Sequence, residues 1–367
     1  LKLHGFGDIL ATLYYMPEVI QDYFGGGDRF GVRMYYSIED TPLGTAGSVK
    51  ACERYLDSTF LVISGDALTD IDLSAAVEFH KSKGAIATIV LTHVTSPLEY
   101  GVVITDDDGR ITRFLEKPSW SEVFSDTVNT GIYVLEPEAL RLFGAGQSFD
   151  FSKNLFPMIL KKGLPLFGYI ADGYWSDVGN IEQYRQTHYD ILQGRAQVNI
   201  PGEEIAKGIY IGTGTQIHPN TKLEAPIVIG DFCRISRNAE VGSCTAMGHN
   251  NILNEGVSIK RSVVWDDSFF GGSSELRGAI ICTKVSLKTK AAAFEGSVIG
   301  SRCVVGNQSI IKPGVKIWPE KVIDAGTTIT TSLVWGAKWS KRLFGPHGVS
   351  GLVNMELTPE IAAKLGA

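Results

Sequence analysis

Aliphatic side chains recur at every sixth position through the second half of this 367-residue chain, and no other feature restricts its fold so tightly. Steps of six from Ile211 reach Ile217, Leu223, Ile229, Ile235, Val241, Met247, Leu253 and Ile259, nine aliphatic or methionine residues in succession. Steps of six from Ile281 reach Leu287, Ala293, Ile299, Val305, Ile311, Ile317, Ile323 and Ile329, nine more small or aliphatic residues. Apolar residues make up at most about half of an average composition, so nine in a row at a chosen spacing is about a one-in-five-hundred event. A six-residue period suits neither an α-helix nor an alternating strand. It is the hexapeptide signature of a parallel β-helix, in which each hexapeptide gives one short strand with its aliphatic residue inward. The two series are out of phase, because Ile259 and Ile281 are not a multiple of six apart. An irregular insertion around Trp265 to Leu276 is expected to absorb the difference.

Glycine follows the inward residue at Gly212, Gly230, Gly242, Gly248, Gly300 and Gly306, where the chain is expected to turn a corner using glycine's backbone freedom. Four residues after the inward position the side chain is usually small, as at Thr215, Thr221, Cys233, Ala239, Thr245, Ser297, Cys303 and Ser309. Packing therefore accounts for Cys233 and Cys303. With Cys52, Cys244 and Cys282 the cysteines number five, an odd count with no CxxC pair. That argues against a zinc site or a disulfide framework and favours a reducing cytosol.

Residues 1 to about 195 follow a different rhythm. Phe60, Leu61, Val62 and Ile63 form a short apolar run that ends at Ser64, Gly65 and Asp66. Asp72 is placed to cap a helix over Leu73 to Lys83, Gly84 ends it, and Ile86 to Leu91 reads as a buried strand. Short apolar strands separated by helices predict an α/β domain with a mainly parallel sheet. Ligands of such sheets bind beyond the carboxyl ends of the strands, where Asp66 falls. A net charge of −6 argues against non-specific nucleic-acid binding. No apolar run approaches the roughly 18 residues that span a bilayer, and no basic segment precedes an apolar one at the start, so neither a membrane partner nor a secretory signal is expected.

Five stretches of the first half carry polar residues in suggestive settings: Pro42-Leu43-Gly44-Thr45-Ala46-Gly47, Ser64-Gly65-Asp66, Phe114-Leu115-Glu116-Lys117-Pro118, Val128-Asn129-Thr130-Gly131 and Trp175-Ser176-Asp177-Val178-Gly179. In this order, followed by a hexapeptide coil, they resemble the sugar-nucleotide pyrophosphorylases, nucleotidyltransferases that form nucleoside-diphosphate sugars. The resemblance implies a Rossmann-like α/β nucleotidyltransferase domain over 1–196 and a left-handed parallel β-helix over 205–335. It implies magnesium on Asp66 and Asp177, which suits an ion usually held by one or two carboxylates plus substrate phosphates. Glu116 would accept hydrogen bonds from sugar hydroxyls, and Lys117 would act as a point charge for the sugar phosphate and, with Asp66, carry the chemistry. Asn129 and Thr130 would add hydroxyl contacts, and Gly101, in Tyr100-Gly101-Val102-Val103, would admit the sugar to the backbone. The turn at Gly44, Thr45 and Gly47 resembles the family's nucleobase and ribose contact. The plainer readings are a strand-end turn for Asp66, an exposed ion pair for Glu116–Lys117 and a tight helix entry at Gly44.

The family's Gly-rich GGxGTRL loop and its PKP-type lysine segment, which wrap the triphosphate, have no counterpart in this sequence. The expectation is a chain that lacks the first strand and this loop and by itself releases little pyrophosphate. At the other end, Leu343-Phe344-Gly345-Pro346-His347-Gly348-Val349-Ser350-Gly351 and Leu357-Thr358-Pro359-Glu360 resemble the opening of phosphohexomutase domains. The last segment, 336–367, is therefore expected to be a linker and the beginning of such a domain. The three-part order resembles mannose-1-phosphate guanylyltransferase-like proteins, which puts mannose 1-phosphate and GTP first, with glucose 1-phosphate and another nucleotide as the alternative. A cytoplasmic homo-oligomer is the expected state. Two competing readings remain. One is a hexapeptide acyltransferase using His218 or His249 as general base, and the other is a non-catalytic pyrophosphorylase-like regulatory subunit.

Overall fold

The computed structural model describes residues 1–119, 125–334 and 338–339; the mutase-like segment therefore lies almost wholly outside the described residues. The chain divides into two compact units, Leu1–Asp177 and Val178–Ala367.

In the first unit β1 (Asp8–Leu13) pairs in parallel with β2 (Arg33–Ile38), on either side of α1 (Pro17–Phe24) in sequence. Next come α2 (Gly44–Ala51), β3 (Phe60–Ile63), β4 (Ala67–Thr69), α3 (Leu73–Lys83), β5 (Ala87–His93), β6 (Gly101–Thr105), β7 (Ile111–Glu116) and β8 (Thr127–Leu135). The unit closes with α4 (Pro137–Leu140), a π-helical turn at Phe151–Leu155, α5 (Phe156–Lys161), β9 (Leu166–Ile170) and β10 (Trp175–Asp177). As its sequence predicts, α3 starts at Asp72, whose carboxylate accepts the Ser74 and Ala75 N–H groups, and ends at Gly84 in the left-handed region.

The main sheet runs β7-β6-β8-β5-β9, with β3 also on β8. It is mixed and not mainly parallel: β5 and β9 are parallel, but β8 runs antiparallel to β3, β5 and β6. A strand buried on both faces is an uninterrupted apolar run whichever way its neighbour runs, so the sequence pattern carries no direction. Alternate residues feed two cores. Ile89, Leu91, Tyr133 and Leu135 join Phe151, Phe156 and Ile159 on one face, and Val90, Ile132 and Val134 join Ile71, Leu73 and Ala76 on the other. Each large aliphatic buried this way contributes roughly 1.5–3 kcal/mol.

In the second unit α6 (Ile181–Leu192) precedes a three-sheeted parallel β-solenoid of about seven turns, the architecture of a left-handed β-helix. The inward residues of successive turns pair in register, as Ile211↔Ile229↔Met247. The phase change is not an insertion. The inward series runs through it without a break, Ile259, Val264, Phe270, Leu276, Ile281, with Met247↔Val264↔Ile281 still paired. Two corners, after Ile259 and after Leu276, are each one residue shorter than the rest.

The corner glycines also act differently from expectation. The left-handed residue lies two positions later, at Phe232, Asn238, Cys244 and Asn250 and onward to Glu320, although each non-glycine there costs about 1–2 kcal/mol. Gly230 and Gly300 are needed because the next turn stacks on them: a Cβ would lie 2.6 Å from the Gly248 carbonyl carbon and 2.5 Å from the Pro319 nitrogen. The Cys233 and Cys303 thiols are buried and donate to the Gly248 and Trp318 carbonyls at 3.2 and 3.1 Å, which fits the packing role read from the repeat.

Candidate active site

Four strand ends bring the polar residues of the first unit together. β3 stops at Ile63, and the turn through Ser64 and Gly65 places Asp66 just past its carboxyl end. β4 then pairs antiparallel with β10, with Ala67 opposite Asp177, and Asp66 and Asp177 line the same cleft. Partial burial raises the Asp177 carboxyl above its usual range, the Asp66 charge adds to this, and the Lys117 ammonium opposes it.

Beside this pair, Gly101 opens β6 opposite Glu116, the last residue of β7. A Cβ on Gly101 would lie 2.8 Å from Glu116 Oε2 and 2.9 Å from the Phe114 ring, so glycine is what lets the carboxylate lie over the strand. The Glu116 carboxyl is raised by burial and then by the charge of Asp150, against a hydrogen bond from Ser152 and the ammonium groups of Lys117 and Lys153. Lys117 itself takes φ +46°, the left-handed region, with its N–H on the Tyr100 carbonyl at 3.1 Å. A non-glycine residue held there is strained, and such strain clusters at functional sites.

β8 supplies the floor. The Asn129 amide donates to the Tyr133 hydroxyl at 3.0 Å and to Ser152 Oγ at 3.2 Å, while its oxygen accepts the Gly131 N–H at 2.9 Å. The Thr130 hydroxyl is buried and donates to the Val90 carbonyl at 2.7 Å, so the side chain expected to meet a sugar is engaged in the sheet. The Thr130 carbonyl in turn accepts the Trp175 indole N–H at 2.9 Å.

Asp66, Gly101, Glu116, Lys117, Asn129, Thr130 and Asp177 thus line one open cleft of about 220 Å³. Gly44, Thr45 and Gly47 do not line it. They form the first turn of α2, where Cβ atoms on Gly44 and Gly47 would lie 2.7 and 2.8 Å from the carbonyl oxygens of Phe149 and Gln147. Close backbone approach alone therefore accounts for both glycines. Glu39, five residues before Gly44, was not read from the sequence. One of its carboxylate oxygens accepts the Leu43 N–H at 3.1 Å, and the other is buried with no hydrogen-bond partner. Tyr100 and Trp175 also line the cleft, with ring centroids 5.3 Å apart. An aromatic beside a glycine was the only signal for Tyr100.

No cluster of three or more His, Cys, Asp or Glu side chains suited to a metal occurs among the described residues. The acidic pair Asp66–Asp177 would need ligands from a substrate. His218 Nδ1 accepts the Asn220 N–H at 3.1 Å and His249 Nδ1 accepts the Asp231 N–H at 2.9 Å. Both histidines stabilise corners of the coil, which removes the observation behind an acyltransferase.

Residues 1–194 match the family model for the nucleotidyl transferase domain, and residues 223–333 match that for the GMPPB C-terminal domain. A UTP–glucose-1-phosphate uridylyltransferase of Synechocystis is 35% identical over 311 residues, spanning 80% of each chain. A mannose-1-phosphate guanyltransferase of Candida albicans is 29% identical over 337 residues, 89% of this chain and 86% of the relative. A mannose-1-phosphate guanylyltransferase of Mycobacterium tuberculosis is 28% identical over 243 residues, 61% of this chain and 67% of the relative. The family match over more than half of the chain, the relatives and a cleft built from strand ends agree: this chain belongs to the sugar-nucleotide pyrophosphorylases of the nucleotidyl transferase family.

Proposed function

We propose that this sugar-phosphate nucleotidyltransferase joins mannose 1-phosphate to GTP. An oxygen of the sugar phosphate forms a bond to the α-phosphorus of the triphosphate. The bond from that phosphorus to the oxygen bridging toward the β-phosphorus breaks, and pyrophosphate leaves with the bonding pair. The observation that carries the reading is the convergence of Glu116, Lys117, Asp66 and Asp177 on one cleft. In it Glu116, held over Gly101, accepts hydrogen bonds from sugar hydroxyls, and the Lys117 ammonium offsets the charge of the sugar phosphate. Asp66 and Asp177 would hold magnesium. Two carboxylates on one cleft with open space beside them fit an ion that takes its other ligands from phosphates and water, and a divalent cation would offset both the burial and the Asp66 charge that raise Asp177. When bound, magnesium neutralises phosphate charge.

Mannose and guanine are favoured by the C-terminal domain match and by the guanyltransferases among the relatives. A second reading, glucose 1-phosphate with UTP, is supported by the 35% identical uridylyltransferase. Retention of Asp66, Lys117 and Asp177 in one cleft speaks against a regulatory subunit. We place the reaction in the cytoplasm, in keeping with five free cysteines, and in a homo-oligomer, as the resemblance implies, because coils of this type often pair between subunits. Among the described residues no helix is long and apolar enough to cross a membrane.

The test is pyrophosphate release by the full-length protein with each pairing of mannose or glucose 1-phosphate and GTP or UTP, with and without magnesium. The highest kcat/KM is expected for mannose 1-phosphate with GTP and magnesium. Asp66→Asn or Asp177→Asn should lower that value by about 10²-fold or more. A preference for glucose 1-phosphate with UTP would select the second reading, and no turnover with any pair would sink the proposal.

A further inference from the structure

One carboxylate outside the cleft bonds both the first turn of α2 and the π-helical turn that lies behind Glu116 and Asn129. Asp150 Oδ2 accepts the Thr45 hydroxyl at 2.8 Å, in the first turn of α2. Asp150 Oδ1 accepts the N–H groups of Ser152 and Lys153 at 2.9 and 3.1 Å, capping the π-helical turn Phe151–Leu155. The bonding is reciprocal: the Phe151 N–H donates to Thr45 Oγ1 at 3.0 Å, and the Ala46 and Gly47 N–H groups both donate to the Phe149 carbonyl at 2.9 Å. α2 has no side-chain cap of its own, so its first turn is held by the 149–151 segment. On the far side of the turn, the Ser152 hydroxyl accepts the Asn129 amide at 3.2 Å and acts on the Glu116 carboxyl to hold it down. π-Helical turns are rare and frequently mark functional sites.

We propose that Asp150 is a positioning residue that joins the Gly44–Gly47 turn, through Thr45, to the Glu116 side of the cleft, through Ser152. The inference rests on the reading above, in which Glu116 meets the sugar, and on the resemblance that puts the nucleotide at the Gly44–Gly47 turn, beside the cleft. Asparagine caps helices as well as aspartate does, so the cap alone does not call for a charge. The charge acts on Glu116. After burial, the Asp150 charge does most to raise that carboxyl, and the Ser152 hydroxyl and the Lys117 and Lys153 ammonium groups oppose it.

Asp150→Asn therefore separates shape from charge. In the full-length protein, the Glu116 carboxyl is followed by carbon-13 NMR titration, assigned with Glu116→Gln, and KM is measured for both substrates. Asp150→Asn is expected to keep the melting temperature within about 4 °C, because the cap survives, and to move the Glu116 midpoint to lower pH. Thr45→Val should raise KM mainly for the triphosphate and Ser152→Ala mainly for the sugar phosphate. Asp150→Ala should raise both, on the order of tenfold. A Glu116 midpoint indifferent to Asp150→Asn, or an Asp150→Ala protein with only one KM changed, overturns the coupling. A wild-type protein that forms no nucleotide sugar but whose Glu116 titration depends on Asp150 strikes the assigned reaction and leaves the coupling standing.

Discussion

At the scale of single residues, what matters in the cleft is how closely charge can be brought to backbone. Gly101 is the clearest case. Its Cα lies under the Glu116 carboxylate, and an added methyl would meet Oε2 at 2.8 Å and the Phe114 ring at 2.9 Å. The ring is partly buried in the core and has little room to give. Gly101→Ala should therefore displace Glu116, at an overpacking cost of about 1–3 kcal/mol, and raise KM for the sugar phosphate more than for the triphosphate. Denaturant melts and steady-state kinetics check the two halves, and an unchanged KM with normal stability would remove Gly101 from the site. Residue type and order made Asp66, Glu116, Lys117 and Asp177 legible in the sequence. The engagement of the Thr130 hydroxyl by Val90 was not, because that depends on a sheet neighbour 40 residues away.

At the scale of elements, the coil shows how much a repeat reveals and where it misleads. From Ile209 to Ile329 the inward series marks every strand except those around the phase change, and there the pairing shows two short corners in place of an insertion. Those corners are where α6 docks. The Tyr189 hydroxyl donates to the Arg261 carbonyl, and Arg185 Nη1 donates to the Gly278 carbonyl at 2.8 Å. Arg261 and Gly278 are the left-handed residues of the two shortened corners. Trp265 adds an indole N–H bond to the Tyr184 hydroxyl at 3.0 Å. The missing residues thus present two carbonyls to the helix, a purpose invisible to a period count. Arg185→Ala and Tyr189→Phe should each destabilise the coil by about 0.5–1.5 kcal/mol. Their effects need not add, since the two side chains lie one turn apart on α6 and the Arg185 charge acts on Tyr189. Urea melts of the single and double variants test this. No loss from the double variant would mean that the helix is held by apolar contact alone.

For the whole molecule, the change of period near residue 200 marks two separate cores. The large buried cluster of the coil draws on residues from Ile227 to Leu333, with Ile209, Ile211, Ile217 and Leu223 packed against it, and contains no residue of the first unit. The two clusters of the α/β unit run from Phe6 to Trp175 and contain none of the coil. Since burial of apolar surface is the main favourable term in folding, separate cores predict separate cooperative transitions. Ile299 faces inward at 0% exposure, and its truncation leaves a cavity that three sheets of hydrogen-bonded strands cannot collapse to fill. Ile299→Ala should therefore lower the coil transition by about 2–5 kcal/mol. It should leave the affinity of the cleft for a nucleotide sugar unchanged, because every residue lining that cleft lies between Ser64 and Asp177. Calorimetry resolves the transitions, and ligand titration reads the cleft. A single transition that falls as one unit, with loss of binding, would show that the coil supplies stability to the site as well as to itself.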